Sequence, residues 1–267
     1  MLKAREWLPD SELQGMVCLV HGLGEHSGRY GHLASALNQA GYALLSYDQR
    51  GHGKSIGKRG HAPSYETLLD DICCFSSESI QRYPNLPVFL YGHSLGGNLV
   101  LNYVIRRQPK FAGVVVTSPW LRLTIEPPPW LRTFAIFLDK FLPAFSLSSK
   151  LECNALSHDL GVINAYKSDL LVHNRISVHL FVAVDQAGRW ALDHASQFAL
   201  PLLLMHGGGD RITATEATRL FATYVQKDCT LKIWPNLYHE LHQECEKEEI
   251  ISYLINWLES HNRYSQR

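Results

Sequence analysis

The chain has 267 residues, 46% of them hydrophobic, which is ample for one buried core carrying an insertion. Lys+Arg and Asp+Glu both number 25, so the formal net charge is zero. That balance gives no electrostatic footprint for nucleic acid and no self-repulsion that would keep the chain disordered. The opening MLKAREWLPD carries charges throughout and does not read as a targeting signal. No stretch approaches the ~18–20 apolar residues of a membrane span, so a cytoplasmic protein is expected.

In chain order, short apolar runs at 17–20, 43–47, 88–91, 113–117, 200–205 and 230–234 read as strands flanked by turn residues. Helical stretches are predicted at 30–40, stopping at Gly41; at 65–82, stopping before Pro84; and at 95–107, stopping before Pro109. This alternation predicts an α/β fold, a mostly parallel sheet with helices on both faces, and the unbroken apolar character of the strands fits burial on both sides. The rhythm breaks after Pro119. Residues 120–198 are expected to form a helical insertion over the C-terminal edge of the sheet, with residues 1–119 and 199–267 as the core. Within it, WLRTFAIFLDKFLPAF places Trp130, Phe134, Phe137, Leu138, Phe141 and Leu142 at helical spacing, with Leu131 and Ile136 widening the face. Such stripes usually pack on a core, so packing or tunnel lining is favoured over contact with a membrane surface. The cysteines Cys18, Cys73, Cys74, Cys153, Cys229 and Cys245 contain no C-x-x-C pair and read as reduced, space-filling thiols.

The strongest chemical signal is VFLYGHSLGGNLV. Gly92-His93-Ser94-Leu95-Gly96 matches G-x-S-x-G between a buried strand and a helix, the context that the nucleophile elbow requires. A sharp strand-to-helix turn presents the Ser94 hydroxyl, leaves room only for glycine at the flanking positions, and aims the Leu95 N–H at a developing oxyanion. A serine hydroxyl needs a base held by an acid, and in this arrangement both follow later in the chain. Asp210 in LPLLLMHGGGD ends a strand in a glycine-rich loop. His239 in LKIWPNLYHELH follows the last strand by a short loop; His242, expected within the terminal helix, is the rival. The second oxyanion donor should come from the loop VHGLGEHSGRY, where Leu23 is the candidate and His21 and His26 read as loop-structuring residues.

Three other signals fail by count. Gly53-Lys54-Ser55 lacks the glycine that a phosphate loop needs at position 48, where Asp48 stands. Gly22-Leu23-Gly24 has Ser27 where a dinucleotide fingerprint needs its third glycine. His239-Glu240-Leu241-His242 is one residue short of a zinc-protease helix. No nucleotide, metal or other cofactor is implied.

HGLGEHSGRY, YDQRGHGKS, GHSLGG, HGGGDRIT and LYHE, in this order, resemble the monoacylglycerol lipase and lysophospholipase group of α/β-hydrolases over about residues 5–260. The resemblance implies the α/β-hydrolase fold, Ser94, Asp210 and His239 as catalytic residues, and the Leu23 and Leu95 amides as the oxyanion hole. It makes Asp48, Arg50, Gly51 and Gly53 a mainly structural loop. It implies a small lipid ester as substrate; transient contact of the insertion with a membrane surface stays the less favoured reading of its apolar stripe. Two departures stand out: members usually begin with one more strand, so the chain is read as entering late, and PWLRLTIEPPPW is less typical of the animal enzymes and looks more bacterial. A carboxylesterase, thioesterase or aminopeptidase would share the triad and differ only in pocket and insertion. A non-enzymatic binding module would normally lose a triad member, and a dehalogenase or epoxide hydrolase would carry Asp at the elbow.

Overall fold

The computed structural model describes residues 1–262. The chain runs β1 (Lys3–Trp7), β2 (Gly15–Val20), α1 (Gly31–Gln39), β3 (Tyr42–Asp48), α2 (Tyr65–Arg82), β4 (Val88–His93), α3 (Leu95–Arg107) and β5 (Gly113–Thr117). It continues through α4 (Pro129–Asp139), β6 (Ser146–Ser148), α5 (Leu160–Ser168), β7 (Arg175–Ser177) and α6 (Val178–Asp193). It ends with β8 (Leu202–Gly207), α7 (Thr215–Tyr224), β9 (Cys229–Trp234) and α8 (Lys247–Asn262). The main sheet has the order β1-β3-β2-β4-β5-β8-β9, parallel throughout except for β1.

Every residue of β2, β3, β4, β5 and β8 is buried, because helices cover both faces. Side chains alternate between the faces. Met16, Cys18 and Val20 join a cluster that includes Leu99 and Leu101 of α3, Val184 of α6 and Phe221 of α7. Val17 and Leu19 join another with Leu33 and Leu37 of α1 and Leu254 and Trp257 of α8. Gly41 closes α1 at φ +80°, the left-handed position where a β-carbon is strained.

The predicted strands and the three predicted helices are all present, with ends shifted by one or two residues. Three expectations are corrected. No strand is expected before 17–20, yet β1 is one, antiparallel to β3 with Lys3 opposite Asp48. Its half-exposed sequence KAREW suits a sheet edge, where charge protects and no apolar run is needed. The space-filling reading of the cysteines holds for buried Cys18, whereas Cys73, Cys74 and Cys245 are exposed; all six are free. The apolar stripe of α4 neither packs on the core nor lines a tunnel: no residue of α4 is buried, and Trp130 is 69% and Phe137 57% exposed.

The stretch expected as an insertion, 120–198, contains two unlike parts. Residues up to Ser177 include α4, α5 and the small antiparallel pair β6–β7. Helix α6 instead packs on α3 and touches α2 and α7, so it lies in a helical layer of the core and carries the crossover from β5 to β8. Among the described residues, no helix is long and apolar enough to cross a membrane.

Candidate active site

Ser94 stands where β4 turns into α3, at φ +54° and ψ −114°. The turn is held by its own backbone: the Ser94 N–H donates to the Thr117 carbonyl (3.0 Å), and the Ser94 carbonyl accepts from the N–H groups of Asn98 and Trp120 (3.0 Å each). The flanking glycines are required sterically. A β-carbon on Gly92 would sit 2.5 Å from the Gly96 carbonyl oxygen, and one on Gly96 would strike the Val20 carbonyl.

His239, in the loop between β9 and α8, reaches back over the sheet edge so that Nε2 lies 2.9 Å from Ser94 Oγ. Its Nδ1 lies 2.7 Å from Asp210 Oδ2. A carboxylate only accepts, so Nδ1–H donates and Nε2 is free to accept the serine proton. Asp210 follows β8. Its Oδ1 accepts the N–H groups of Ile212 (2.7 Å) and Thr213 (3.0 Å), and its Oδ2 is also approached by His206 Nε2 and Thr213 Oγ1, each at 3.0 Å. Burial favours the neutral acid, but the charge of His239 and the hydrogen bonds of His206 and His239 hold Asp210 well below the usual carboxylate range. Burial likewise opposes protonation of His239, and Asp210 overrides it, so His239 is raised above its ordinary value. Neighbouring His93 is pushed down to about 3 by burial and by His239, and stays neutral at neutral pH.

The Leu23 loop lies against the elbow: a β-carbon on Gly22 would be 3.3 Å from Ser94 Cβ. Leu95 is the first residue of α3, where an N–H has no acceptor one turn back. Buried Glu25 braces the loop by accepting the Gly22 N–H (2.6 Å), the Tyr30 hydroxyl (2.7 Å) and Arg29 (2.9 Å). Arg29 also forms a two-point pair with Glu240 (2.6 Å each), which ties the Leu23 loop to the His239 loop. Burial raises Glu25, yet Arg29 and His93 bring it down to about 2. The segment between α4 and α6 grips both loops from above. The His173 N–H donates to the Gly24 carbonyl (2.8 Å), and the Glu240 N–H donates to the Leu156 carbonyl (2.8 Å).

Ser94 and His239 open into a cavity of about 670 Å3 whose walls include Trp120, Leu123, Leu156, Ile176, Phe181 and Ile212. Among the described residues, no group of three or more His, Cys, Asp or Glu side chains is placed to hold a metal ion.

The family described as serine aminopeptidase, S33, matches residues 11–246. The chain is 33% identical to a monoacylglycerol lipase of Mycolicibacterium smegmatis, over 96% of this chain and 91% of that one. It is 39% identical, over 96% of its length, to an uncharacterised abhydrolase domain-containing protein of Dictyostelium discoideum, of which it spans 27%. The crystal structure of the Paleococcus ferrophilus monoacylglycerol lipase superposes with a TM-score of 0.89 at 37% identity, covering 98% of this chain and 99% of that one. The chain belongs to the monoacylglycerol lipase group of the α/β-hydrolases.

In this α/β-hydrolase the residues singled out from sequence come together: Ser94, His239 and Asp210 form one hydrogen-bonded chain, and Leu23 and Leu95 flank the serine. His242 lies in a short turn before α8 rather than inside it, and stacks on Tyr30 (4.6 Å) away from the serine hydroxyl. His21 accepts the Gln49 N–H (2.9 Å), and His26 pairs with Asp169 (2.8 Å). Sequence reasoning passed over Glu25, Arg29, Glu240, His206 and Thr213. The signal for the first three was present as charged residues set in the otherwise apolar or glycine-rich motifs HGLGEHSGRY and LYHE. Ser118 was also missed; it takes φ +45° after β5 and donates its hydroxyl to the His239 carbonyl (2.8 Å).

Proposed function

We propose that this protein hydrolyses carboxylic esters of monoacyl lipids, monoacylglycerols or lysophospholipids, through an acyl-enzyme on Ser94. The observation that carries the reading is the unbroken chain from Ser94 Oγ to His239 to Asp210 at the wall of a largely apolar cavity. Ser94 Oγ attacks the ester carbonyl while His239 Nε2 takes its proton, and Asp210 holds the resulting imidazolium. The Leu23 and Leu95 amides receive the oxyanion; each such donor is worth about 2.7–4 kcal/mol. The tetrahedral adduct collapses, the alcohol leaves with the proton from Nε2, and the acyl group stays on Ser94. Water then attacks with His239 again as base, releasing the fatty acid and restoring the serine.

Glu25 and Glu240 line the cavity beside the serine, with one Arg29 charge between them. That balance favours a neutral glycerol headgroup over a phosphodiester. The lysophospholipid reading draws on Arg211 and Lys150, two cationic side chains on the same wall. Residues 120–177 act as a cap over the site, and the outward apolar face of α4 is its contact with a membrane surface. A carboxylesterase, thioesterase or aminopeptidase would use the same triad on a smaller or more polar acyl donor.

A fluorophosphonate probe labels wild type and fails on Ser94→Ala; an unlabelled wild type removes the serine-hydrolase reading. A panel of monoacylglycerols, lysophospholipids, p-nitrophenyl esters and aminoacyl amides then ranks the substrate classes. The highest kcat/KM on aminoacyl amides would overturn the lipid reading.

A further inference from the structure

Two imidazoles meet one oxygen of Asp210. His239 Nδ1 lies 2.7 Å from Oδ2, and His206 Nε2 lies 3.0 Å from the same atom. His206 belongs to β8 and is fully buried, and the mechanism above gives it no part. Its ring is held at both nitrogens, with Nδ1 2.7 Å from the hydroxyl of Thr218, a fully buried residue of α7. Because a carboxylate only accepts, the nitrogen facing Asp210 carries the proton. With Nε2–H turned to Asp210, Nδ1 is left facing the Thr218 hydroxyl, which donates to it. A helical threonine hydroxyl often turns back to the carbonyl one turn earlier; here it is turned to His206 and fixes the tautomer.

The plane of the Asp210 carboxylate does not depend on this contact. Oδ1 is pinned by the amides of Ile212 (2.7 Å) and Thr213 (3.0 Å). Thr213 Oγ1, 3.0 Å from Oδ2 and 3.1 Å from the Ser118 carbonyl, has one proton to serve both. What His206 changes is therefore charge rather than aim. An N–H donated to Oδ2 stabilises the carboxylate and draws on the density that His239 would otherwise receive.

We propose that His206, its tautomer fixed by Thr218, is a positioning residue that acts through Asp210 and sets how strongly the carboxylate holds the base His239. The inference rests on the reading of Ser94, His239 and Asp210 as nucleophile, base and acid. The other titratable or charged groups facing His239 are His93 from β4, Glu25 from the Leu23 loop, and Glu240 and His242 from its own loop, with Arg29 between the glutamates. All of these residues are retained in every variant below.

The test is the pH dependence of kcat/KM on a water-soluble p-nitrophenyl ester for wild type, His206→Leu, His206→Gln and Thr218→Val. Loss of the competing donor makes His239 more basic. His206→Leu keeps the alkaline plateau within about threefold of wild type, while its acid limb moves up by roughly half a pH unit or more. Glutamine retains a donor for Asp210 and an acceptor for Thr218, so His206→Gln keeps the wild-type limb. Thr218→Val, close to isosteric, moves the limb in the same direction by less, and decides the matter alone should His206→Leu fail to fold. A limb that stays in place or moves down overturns the proposal, even with a reduced plateau, and so does a glutamine variant that shifts like leucine. Failure of the underlying reading looks different: wild type itself would not react with fluorophosphonate and would give no profile.

Discussion

Helices α3 and α4 are both rich in apolar residues, yet eleven of the thirteen residues of α3 are buried and none of α4. The difference lies in what each helix connects. α3 follows β4 and leads to the neighbouring parallel strand β5, so it must lie back across the sheet, and its leucines and valines fill the space beneath. α4 belongs to the stretch between β5 and α6 and crosses no sheet. It is held on its polar side, where Arg132 pairs with Glu126 (3.0 Å) and Asp185 (3.3 Å) and Asp139 meets His179 (2.9 Å). Its aromatic side is left facing out. An apolar stripe shows that a helix has a face to cover; the connection decides whether the protein covers it.

The comparison breaks most sharply at the start of α3, where the proposed nucleophile sits. Ser94→Ala should lower kcat by about 10⁶-fold while the fold and any vesicle binding remain, because only the hydroxyl is lost. A steady-state assay beside a liposome flotation separates the two. Asp210→Asn should cost about 10⁴-fold in kcat through loss of the tautomer that frees Nε2. It also carries a pH signature. His239 must be neutral to act as base, and Asp210 raises it, so the wild-type acid limb of kcat/KM lies above the ordinary histidine value of about 6.5. Activity is lost as pH falls through that limb. With Asp210 neutralised the limb should move to lower pH, and an unmoved limb would mean that another group titrates.

Further along α3 the expected effect falls on stability. Leu101 is fully buried in the cluster beneath the sheet, so Leu101→Ala should destabilise by about 2–5 kcal/mol, read as a lower midpoint in urea unfolding. A loss below about 1 kcal/mol would show that the layer of α3 and α6 collapses around the gap more readily than its close packing suggests.

The parts legible in the sequence are those where one local rule governs. Strand–helix alternation, the glycine-flanked Ser94 and the strand-ending Asp210 are each fixed by backbone geometry within a few residues. β1 was not legible, because an edge strand needs no apolar run. The fate of α6 was hidden as well: a helix in the core layer and a helix in the cap share the same 3.6-residue periodicity, and only its contact with α3 distinguishes them. The Glu25–Arg29–Glu240 brace depends on loops brought together from opposite ends of the chain, and the His206 contact on how β8, the loop after it and α7 pack within residues 206–218. Their residue types were visible, and their partners were not.

On α4 the expected effect on the folded state is smallest and the expected effect at a surface is the informative one. Phe134 is 53% and Phe137 57% exposed, so replacing both with serine removes little burial, and urea unfolding should change by no more than about 0.5 kcal/mol per site. If the face enters a lipid surface, the same two rings gain the burial there that they lack in the protein. Fully burying a phenylalanine contributes about 1.5–3 kcal/mol, so vesicle affinity of the double variant Phe134→Ser, Phe137→Ser should fall by about tenfold or more. Turnover of a soluble p-nitrophenyl ester should stay near wild type, because no α4 residue lines the cavity. Unchanged vesicle binding would remove the membrane contact. A marked loss of stability would instead mean that the aromatic side of α4 is already covered within the protein, and the contrast with α3 would dissolve.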